Sequence, residues 1–252
     1  MDNKRKIVAI GGGEIGRPGY AIETEKIDRE IIALSGKKRP KLLLLPTASG
    51  DSQLYYEVVK KYFGRKLGCE TDVLYLFNNQ LSRQEIIKKI QSADIIYVGG
   101  GNTLRMMRRW RKLGVDKILV KAWENGCIMS GVSAGSICWF EYGNSDSVKS
   151  VNKKAQLIRV RGLGMIPASH CPHYDFEKDR RIGIKKMMAK TPGVAICIDN
   201  RAAIEIVDNQ YRIITDIKNV SAYKVFWQDG KYYQIKLPSH KWGDIGELLR
   251  KI

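Results

Sequence analysis

Residues 128–140 read IMSGVSAGSICWF, and this stretch determines the architecture we expect for the chain. Cys127–Val132 is an apolar run of strand length, and Ile137–Phe140 begins a second run that we interpret as the start of a buried helix. Ser133 lies between the two runs, among small residues. Because ordered glycine loses much backbone entropy, glycines on both sides of a serine indicate a tight turn that side chains would obstruct.

The segment Gly131-Val-Ser-Ala-Gly135 has the G-x-S-x-G form of a nucleophile elbow, a sharp strand-to-helix turn that exposes a serine hydroxyl. Gly131 and Gly135 would relieve crowding in this bend, and the Ala134 amide would serve as an oxyanion donor. The alternative is an ordinary turn in which Ser133 caps the helix. Open α/β sheets bind ligands at the carboxyl ends of their strands, which favours the elbow.

Apolar runs alternate with amphipathic stretches in the first half of the chain, which predicts a parallel sheet covered by helices on both faces. The predicted strands are Lys6–Ile10, Lys41–Leu45, Asp72–Leu76, Asp94–Val98 and Cys127–Val132. Helices are predicted in Asp51–Lys66, in Leu81–Ile90 with a capping box, from Leu104, and in Phe176–Lys190.

Later strand signals are shorter and predict a smaller antiparallel extension at the C-terminus. They are Val194–Ile198, Ala202–Val207, Tyr211–Thr215, Val225–Gln228 and Tyr232–Leu237, the last two joined by a hairpin turn at Asp229-Gly230. We expect a three-layer α/β fold with a mostly parallel central sheet, formed by one domain over residues 1–252.

The composition is that of a soluble globular protein, with 44% hydrophobic and 28% charged residues. No apolar run reaches the ~20 residues of a membrane span, and the apolar stretch near the N-terminus is too short for a signal peptide. The five cysteines are scattered and form no C-x-x-C pair, so we expect a reducing, cytoplasmic location and neither disulfides nor a metal site.

The formal net charge of +18 is unusual and comes partly from two clusters, Lys60–Lys66 and Arg105–Lys112. Such clusters attract phosphate backbones or acidic ligands. We favour solvated helix faces over nucleic-acid binding, because no nucleic-acid motif accompanies the charge. Nucleic-acid association is kept as a hypothesis that requires salt-sensitive binding.

Two glycine-rich loops follow predicted strands. Gly11–Gly16 satisfies G-x-G-x-x-G, but Arg17-Pro18-Gly19 breaks any helix that would hold a pyrophosphate, so we expect a tight turn beside a site and no dinucleotide. Gly99–Gly101 leaves backbone amides free to face an anion, and Asn102 or Thr103 would cap the next helix. The second oxyanion donor would be the amide of Gly100 or Gly101.

Val98-Gly-Gly-Gly-Asn-Thr103, followed about thirty residues later by Gly131-Val-Ser-Ala-Gly-Ser136, resembles the peptidase E and cyanophycinase family of serine peptidases. The resemblance extends from the Gly11–Gly16 loop to about Val207. It implies a flavodoxin-like or class I glutamine amidotransferase-like fold. It also implies hydrolysis of dipeptides with N-terminal aspartate, or of the aspartate-linked polymer cyanophycin, without metal or organic cofactor.

The family's catalytic base stands in a Pro-His-aromatic context, which Pro172-His173-Tyr174 matches, so the resemblance implies His173 as base. His170 would be a structural neighbour. The acidic third member of the family's triad aligns with Asn200, and Asp199 precedes it. An amide can orient an imidazole but cannot stabilise imidazolium by charge, so both Asn200 and Asp199 stay candidates.

The sequence gives weaker signals for the residues that bind the substrate than for the catalytic ones. Arg180 and Arg181 stand where the family also has arginine, and a guanidinium there would hold a substrate carboxylate. The alternative is a solvated pair on the first turn of a helix. We also place Asn102 and Thr103 at the substrate.

The leading hypothesis is a cytoplasmic serine peptidase for small acidic peptides, a monomer or homodimer without membrane contact. The second is a catalytically weak or inactive relative that binds an acidic ligand in the same site, a reading that Asn200 favours.

Overall fold

A computed structural model describes residues 4–77, 81–149, 151–176 and 178–252. The strands are β1 Lys6–Ile10, β2 Lys41–Leu45, β3 Glu70–Val73, β4 Ile95–Val98, β5 Ile128–Val132, β6 Phe140–Ser145, β7 Ile158–Arg161, β8 Ile166–Cys171, β9 Ala195–Ile198, β10 Ala202–Val207, β11 Gln210–Thr215, β12 Ala222–Gln228, β13 Lys231–Lys236 and β14 Gly243–Asp244. The helices are α1 Glu25–Ala33, α2 Gln53–Val59, α3 Arg83–Gln91, α4 Thr103–Leu113, α5 Val115–Glu124, α6 Ala134–Ile137, α7 Lys178–Met188 and α8 Ile245–Leu249.

Eight strands form the first sheet in the order β14-β11-β10-β1-β5-β4-β2-β3. The five strands from β1 to β3 in this order are mutually parallel, and the pairs β1–β10, β10–β11 and β11–β14 are antiparallel. Ile10 pairs with Val132, Val98 pairs with Gly131, and Leu45 pairs with Val98. The carboxyl ends of β1, β5, β4 and β2 therefore lie at one edge of the sheet.

Six strands form a second sheet in the order β13-β12-β9-β8-β6-β7. β6, β8 and β9 are parallel, and Cys171 at the end of β8 pairs with Cys197 of β9. This sheet was not predicted from the sequence, and the C-terminal strands divide between the two sheets. The predicted α/β class with a largely parallel sheet is confirmed.

Two apolar clusters cover the faces of the first sheet. One face packs against α1 and the segment 53–66 through Ile27, Ile31, Val59 and Phe63. The other face packs against α4 and α5 and against side chains of the second sheet, including Ile196 and Phe226. Ile184 and Met188 of α7 cover the outer side of the second sheet. Four layers follow from this packing. The first contains α1 and the segment 53–66, and the second is the first sheet. The third contains α4, α5 and the second sheet, and the fourth is α7.

Two sequence predictions about helices are wrong in detail. Residues 137–140 do not begin a long helix, because α6 is a single turn and Phe140 already begins β6. The predicted helix Asp51–Lys66 is α-helical only over Gln53–Val59 and continues as a π-helix over Lys60–Lys66. The capping box of α3 is confirmed, with Ser82 and Glu85 each bonded to the other's backbone amide.

No helix among the residues that the structure describes is long and apolar enough to cross a membrane.

The helix α1 carries a buried carboxyl, that of Asp28. Asp28 is 0% exposed, and one carboxyl oxygen accepts hydrogen bonds from the hydroxyls of Thr24 (2.7 Å) and Tyr62 (2.9 Å). Its other oxygen has no partner among the described residues. Burial raises the pKa of Asp28 from 3.8 to about 7, because the charged form loses hydration that two hydroxyls replace only in part.

The raised pKa predicts that stability falls as pH rises from 3.8 to about 7, because the unfolded chain loses this proton first. Asp28→Asn stays neutral at every pH, so we expect its free energy of unfolding to change less across this window. Urea unfolding at several pH values measures the slope. Asp216→Asn, at an exposed carboxyl, is the matched control, and equal slopes in all three proteins would contradict the prediction.

Candidate active site

Ser133 occupies a strained bend between β5 and α6. Its backbone angles are φ 57° and ψ −111°, in a region that residues other than glycine rarely adopt. A Cβ at Gly135 would lie 2.1 Å from the carbonyl oxygen of Val98, and one at Gly131 would lie 2.6 Å from the Gly135 carbonyl oxygen. Both glycines are therefore required by close backbone approach, which is the reason inferred from the sequence.

The imidazole of His173 lies between a hydroxyl and an amide. Its Nε2 is 2.9 Å from Ser133 Oγ, and its Nδ1 is 2.6 Å from Asn200 Oδ1. Because an amide oxygen only accepts hydrogen bonds, Nδ1 carries the proton and Nε2 has a lone pair toward the serine hydroxyl. This tautomer is the one that a general base for Ser133 requires.

Asp199 and Asn200 point to different neighbours. The Asp199 side chain is buried and accepts a hydrogen bond of 2.9 Å from the Ser221 amide, while its other oxygen has no partner among the described residues. Burial raises the pKa of Asp199 to about 6. Asn200 faces His173, and its own backbone amide donates to Asp175 at 2.8 Å.

The first glycine-rich loop packs directly on the imidazole–amide pair. A Cβ at Gly12 would lie 2.0 Å from Asn200 Oδ1 and 2.4 Å from His173 Nδ1. The carbonyl of Gly11 accepts from the His173 amide at 3.1 Å, and that of Gly12 accepts from the Arg201 amide at 2.8 Å. This turn after β1 lines the site, as its glycines suggested.

The second glycine-rich loop lies beside the serine. A Cβ at Gly100 would be 3.6 Å from Ser133 Cβ, and Gly101, with φ 137°, packs on the carbonyl of Ala48. Ala134 is the first residue of α6, and the first amides of a helix have no carbonyl partner within it. The amides of Gly100, Gly101 and Ala134 are thus the candidate oxyanion donors on either side of Ser133.

Tyr55 is a site neighbour that the sequence placed only within the predicted helix Asp51–Lys66. Its ring packs on Gly99, where a Cβ would be 2.4 Å from Cε1. Burial raises the pKa of Tyr55 to about 12, and a hydrogen bond from the Gly100 amide opposes this rise, so the Tyr55 hydroxyl competes with an oxyanion for this donor. No signal in the sequence marked Tyr55, because its position depends on the packing of α2 against the end of β4.

His170 is buried behind the bend. Its Nδ1 donates to the Ile196 carbonyl at 2.8 Å, its Nε2 lies 2.8 Å from Ser136 Oγ, and its ring stacks on Phe140. Burial lowers the pKa of His170 to about 3, so the ring is neutral at physiological pH. These contacts give His170 a structural position between α6 and the second sheet.

The residues proposed for substrate binding are placed less favourably. Arg180 is only 2% exposed, donates to the Asn144 carbonyl at 2.9 Å and pairs with Asp146 at 3.2 Å, so it is neither solvated nor open to a ligand. Thr103 is 1% exposed, and Asn102 caps α4 by accepting from the Arg105 amide. Arg181 is exposed and lies over the ring of Tyr174.

Arg201 is a residue beside the candidate triad that the sequence analysis did not consider. It follows Asn200, and its Nε is buried without a hydrogen-bond partner among the described residues. Its position next to a candidate triad residue was the available signal. Across the described ranges, no cluster of three or more His, Cys, Asp or Glu residues is arranged to hold a metal ion.

The fold and this geometry define an α/β protein with the site layout of a serine hydrolase. The profile of Peptidase family S51 matches residues 7–214, and the chain belongs to that family. It is a peptidase of the peptidase E type.

Curated relatives agree with this membership. The chain is 35% identical over 238 residues to the uncharacterized peptidase YgaJ of Bacillus subtilis, covering 93% of this chain and 97% of the relative. It is 25% identical to peptidase E of a Nostoc species, covering 81% and 84%.

Two crystal structures share the fold. A peptidase from an acI-B1 Actinobacterium has a TM-score of 0.70 at 17% identity, covering 96% of this chain and 97% of that one. A putative peptidase E of Listeria monocytogenes has a TM-score of 0.62 at 21% identity, covering 84% and 98%.

The packing of Gly12 generates a prediction about reactivity. Gly12→Ala puts a methyl group into the His173–Asn200 contact and displaces the imidazole, so we expect labelling of Ser133 by a fluorophosphonate to slow about 100-fold, the scale of a 1 Å misplacement. Gly64→Ala, where a Cβ meets only ordinary contacts, is the control. Unchanged labelling in a folded Gly12→Ala protein would show that the loop does not position the base.

Proposed function

We propose that the protein is a serine-type peptidase that hydrolyses small aspartate-containing peptides through Ser133, His173 and Asn200. The observation that carries the proposal is the pair of contacts made by one imidazole, 2.9 Å from Ser133 Oγ and 2.6 Å from Asn200 Oδ1. A nucleophile, a base and a group that orients the base are thereby within hydrogen-bond reach of one another.

The reaction follows from these contacts. Ser133 Oγ forms a bond to the scissile carbonyl carbon while its proton passes to His173 Nε2. The carbonyl oxygen becomes an oxyanion, which the amides of Gly100, Gly101 and Ala134 stabilise.

The C–N bond then breaks as the imidazolium gives its proton to the leaving nitrogen, and an acyl ester remains on Ser133. Water, deprotonated by His173, hydrolyses this ester and frees the serine.

Asn200 can orient the His173 ring but carries no negative charge to stabilise the imidazolium. Its carbonyl holds the Nδ1–H tautomer, as the asparagine of Cys-His-Asn peptidases does. At Nδ1 the ring meets this amide oxygen in place of a carboxylate, and the corresponding Asp-to-Asn change in a serine triad lowers turnover about 10⁴-fold. We therefore infer a slow peptidase.

Two features support an acidic substrate. The formal net charge of +18 attracts anions over distances comparable to the Debye length. Arg201 directly follows Asn200 and has a buried Nε without a hydrogen-bond partner among the described residues, and we propose it in place of Arg180 as the cation that holds a substrate carboxylate.

The second candidate function is a family member that binds an acidic ligand without hydrolysing it. Asn200 is the observation that favours it, since the charge of the third triad member is missing.

Activity-based labelling separates the two functions. We expect a fluorophosphonate to label the wild type and to leave Ser133→Ala unlabelled, and we expect wild type alone to release aspartate from Asp-Ala or Asp-Leu. Labelling of both proteins alike would refute Ser133 as nucleophile. Thermal stabilisation by aspartate without hydrolysis of any Asp-X dipeptide would instead support the binding function.

Restoring the carboxylate tests the role of Asn200. We expect Asn200→Asp to raise kcat for Asp-X dipeptides at least tenfold, because the carboxylate stabilises the imidazolium that forms during attack. The matched control is Asp199→Asn, which keeps an oxygen acceptor for the Ser221 amide and should leave kcat within about twofold. A loss of activity in Asp199→Asn, with none gained in Asn200→Asp, would transfer the orienting role to Asp199.

A further inference from the structure

A cavity of about 1050 Å³ opens along α4, which we call the α4 cavity. One side is the helix face that carries Arg105, Arg108, Arg109 and Lys112, with Phe77 beside it. The other side is formed by residues within the segment 147–158. The volume is that of a ligand site for a molecule of several amino acids.

The cationic wall of the α4 cavity is unneutralised. Arg105, Arg108, Arg109 and Lys112 form no ion pair with any residue that the structure describes. No aspartate or glutamate is among the described residues that line the cavity. Four positive charges that lack an ion-pair partner within the described part of the chain raise the local concentration of anions.

Two guanidinium groups of this wall are held in place. The Arg105 and Arg109 guanidinium carbons lie 4.9 Å and 5.4 Å from the Phe77 ring centroid, and Arg109 Nε donates to the Leu76 carbonyl at 2.6 Å. A guanidinium that is already oriented loses less entropy when it binds a ligand, and its planar fork matches a carboxylate.

The opposite wall is mainly apolar and contributes amide side chains. Val148, Val151, Ala155 and Ile158 line it together with Asn152 and Gln156. Such a wall suits a peptide, because the amide side chains can form hydrogen bonds with the peptide backbone and the apolar side chains can pack against the methylene groups of its side chains.

The α4 cavity begins next to the candidate active site. Asn102 lines the cavity and directly follows the Gly99–Gly101 loop, in which Gly100 lies against Ser133. The Asn102 side chain also donates to the Ser147 carbonyl at 2.8 Å and so joins the two walls at this end. Asn102 is therefore the lining residue that connects the cavity to the loop beside Ser133.

We propose that the α4 cavity binds the acidic segment of an oligopeptide substrate, so that the peptidase accepts acidic peptides longer than a dipeptide. This inference rests on the proposed function. A nucleic acid fits the cavity less well, because single strands follow an extended basic groove with stacking platforms. The cavity, by contrast, is concave and has one apolar wall.

Binding to the full-length Ser133→Ala protein tests the proposal without any turnover. By isothermal titration calorimetry we expect tetra-aspartate to bind more tightly than the dipeptide Asp-Ala, with an affinity that falls as salt is added. Neutralising the exposed pair in Arg108→Gln/Lys112→Gln should weaken tetra-aspartate binding about tenfold, because two ion pairs are lost, and should leave Asp-Ala unaffected.

Lys60→Gln/Lys61→Gln is the matched control, because it removes two exposed charges from the other basic cluster. Equal weakening in both double variants would overturn the proposal in favour of general electrostatic attraction. Displacement of tetra-aspartate by a single-stranded DNA 12-mer at equal concentration would overturn it in favour of nucleic acid. Failure of the wild type to hydrolyse any peptide would refute the proposed function alone, since this binding requires no catalysis.

Discussion

A methyl group at position 135 would lie 2.1 Å from the carbonyl oxygen of Val98, so strand β4 and the turn after Ser133 touch with no side chain between them. This contact brings the Gly99–Gly101 loop, which follows Val98, beside the serine. It also requires a backbone with φ 57° at Ser133, a conformation stabilised by the surrounding packing rather than by the residue itself. The hydroxyl and its candidate oxyanion donors are placed by this approach.

The imidazole reaches the serine because two sheets meet at the end of β1. Gly11 leaves no room for a side chain, since a Cβ there would be 2.3 Å from the Asp199 carbonyl oxygen. Gly12 packs in the same way on the pair formed by His173 and Asn200. The Gly11–Gly16 loop resembles a dinucleotide-binding motif, but here it packs the end of β1 in one sheet against the loops after β8 and β9 in the other.

Charge is distributed unevenly between the site and its surroundings. The group that orients the base is a neutral amide, while the neighbouring carboxyl of Asp199 is buried and bonded to Ser221, with its pKa raised by desolvation. Cations line the approach along α4 instead. This distribution of charge is the basis on which we propose acidic peptides as substrates and a slow turnover.

Local patterns in the sequence predicted the exact bounds of β1 and β2, the bend at Ser133 and the two glycine-rich loops. These features could be predicted because apolar runs and glycines determine the backbone conformation of the residues next to them. They did not reveal β6 (FEYGNS) or β7 (IRVR), whose polar residues carry no strand signal and which are held by partners far along the chain. The choice between Asp199 and Asn200, the burial of Arg180, and the cavity beside α4 were likewise decided only by tertiary structure. Asp199 and Asn200 lie in the turn between β9 and β10, where no strand periodicity fixes the direction of a side chain, and which one meets His173 depends on packing between the sheets.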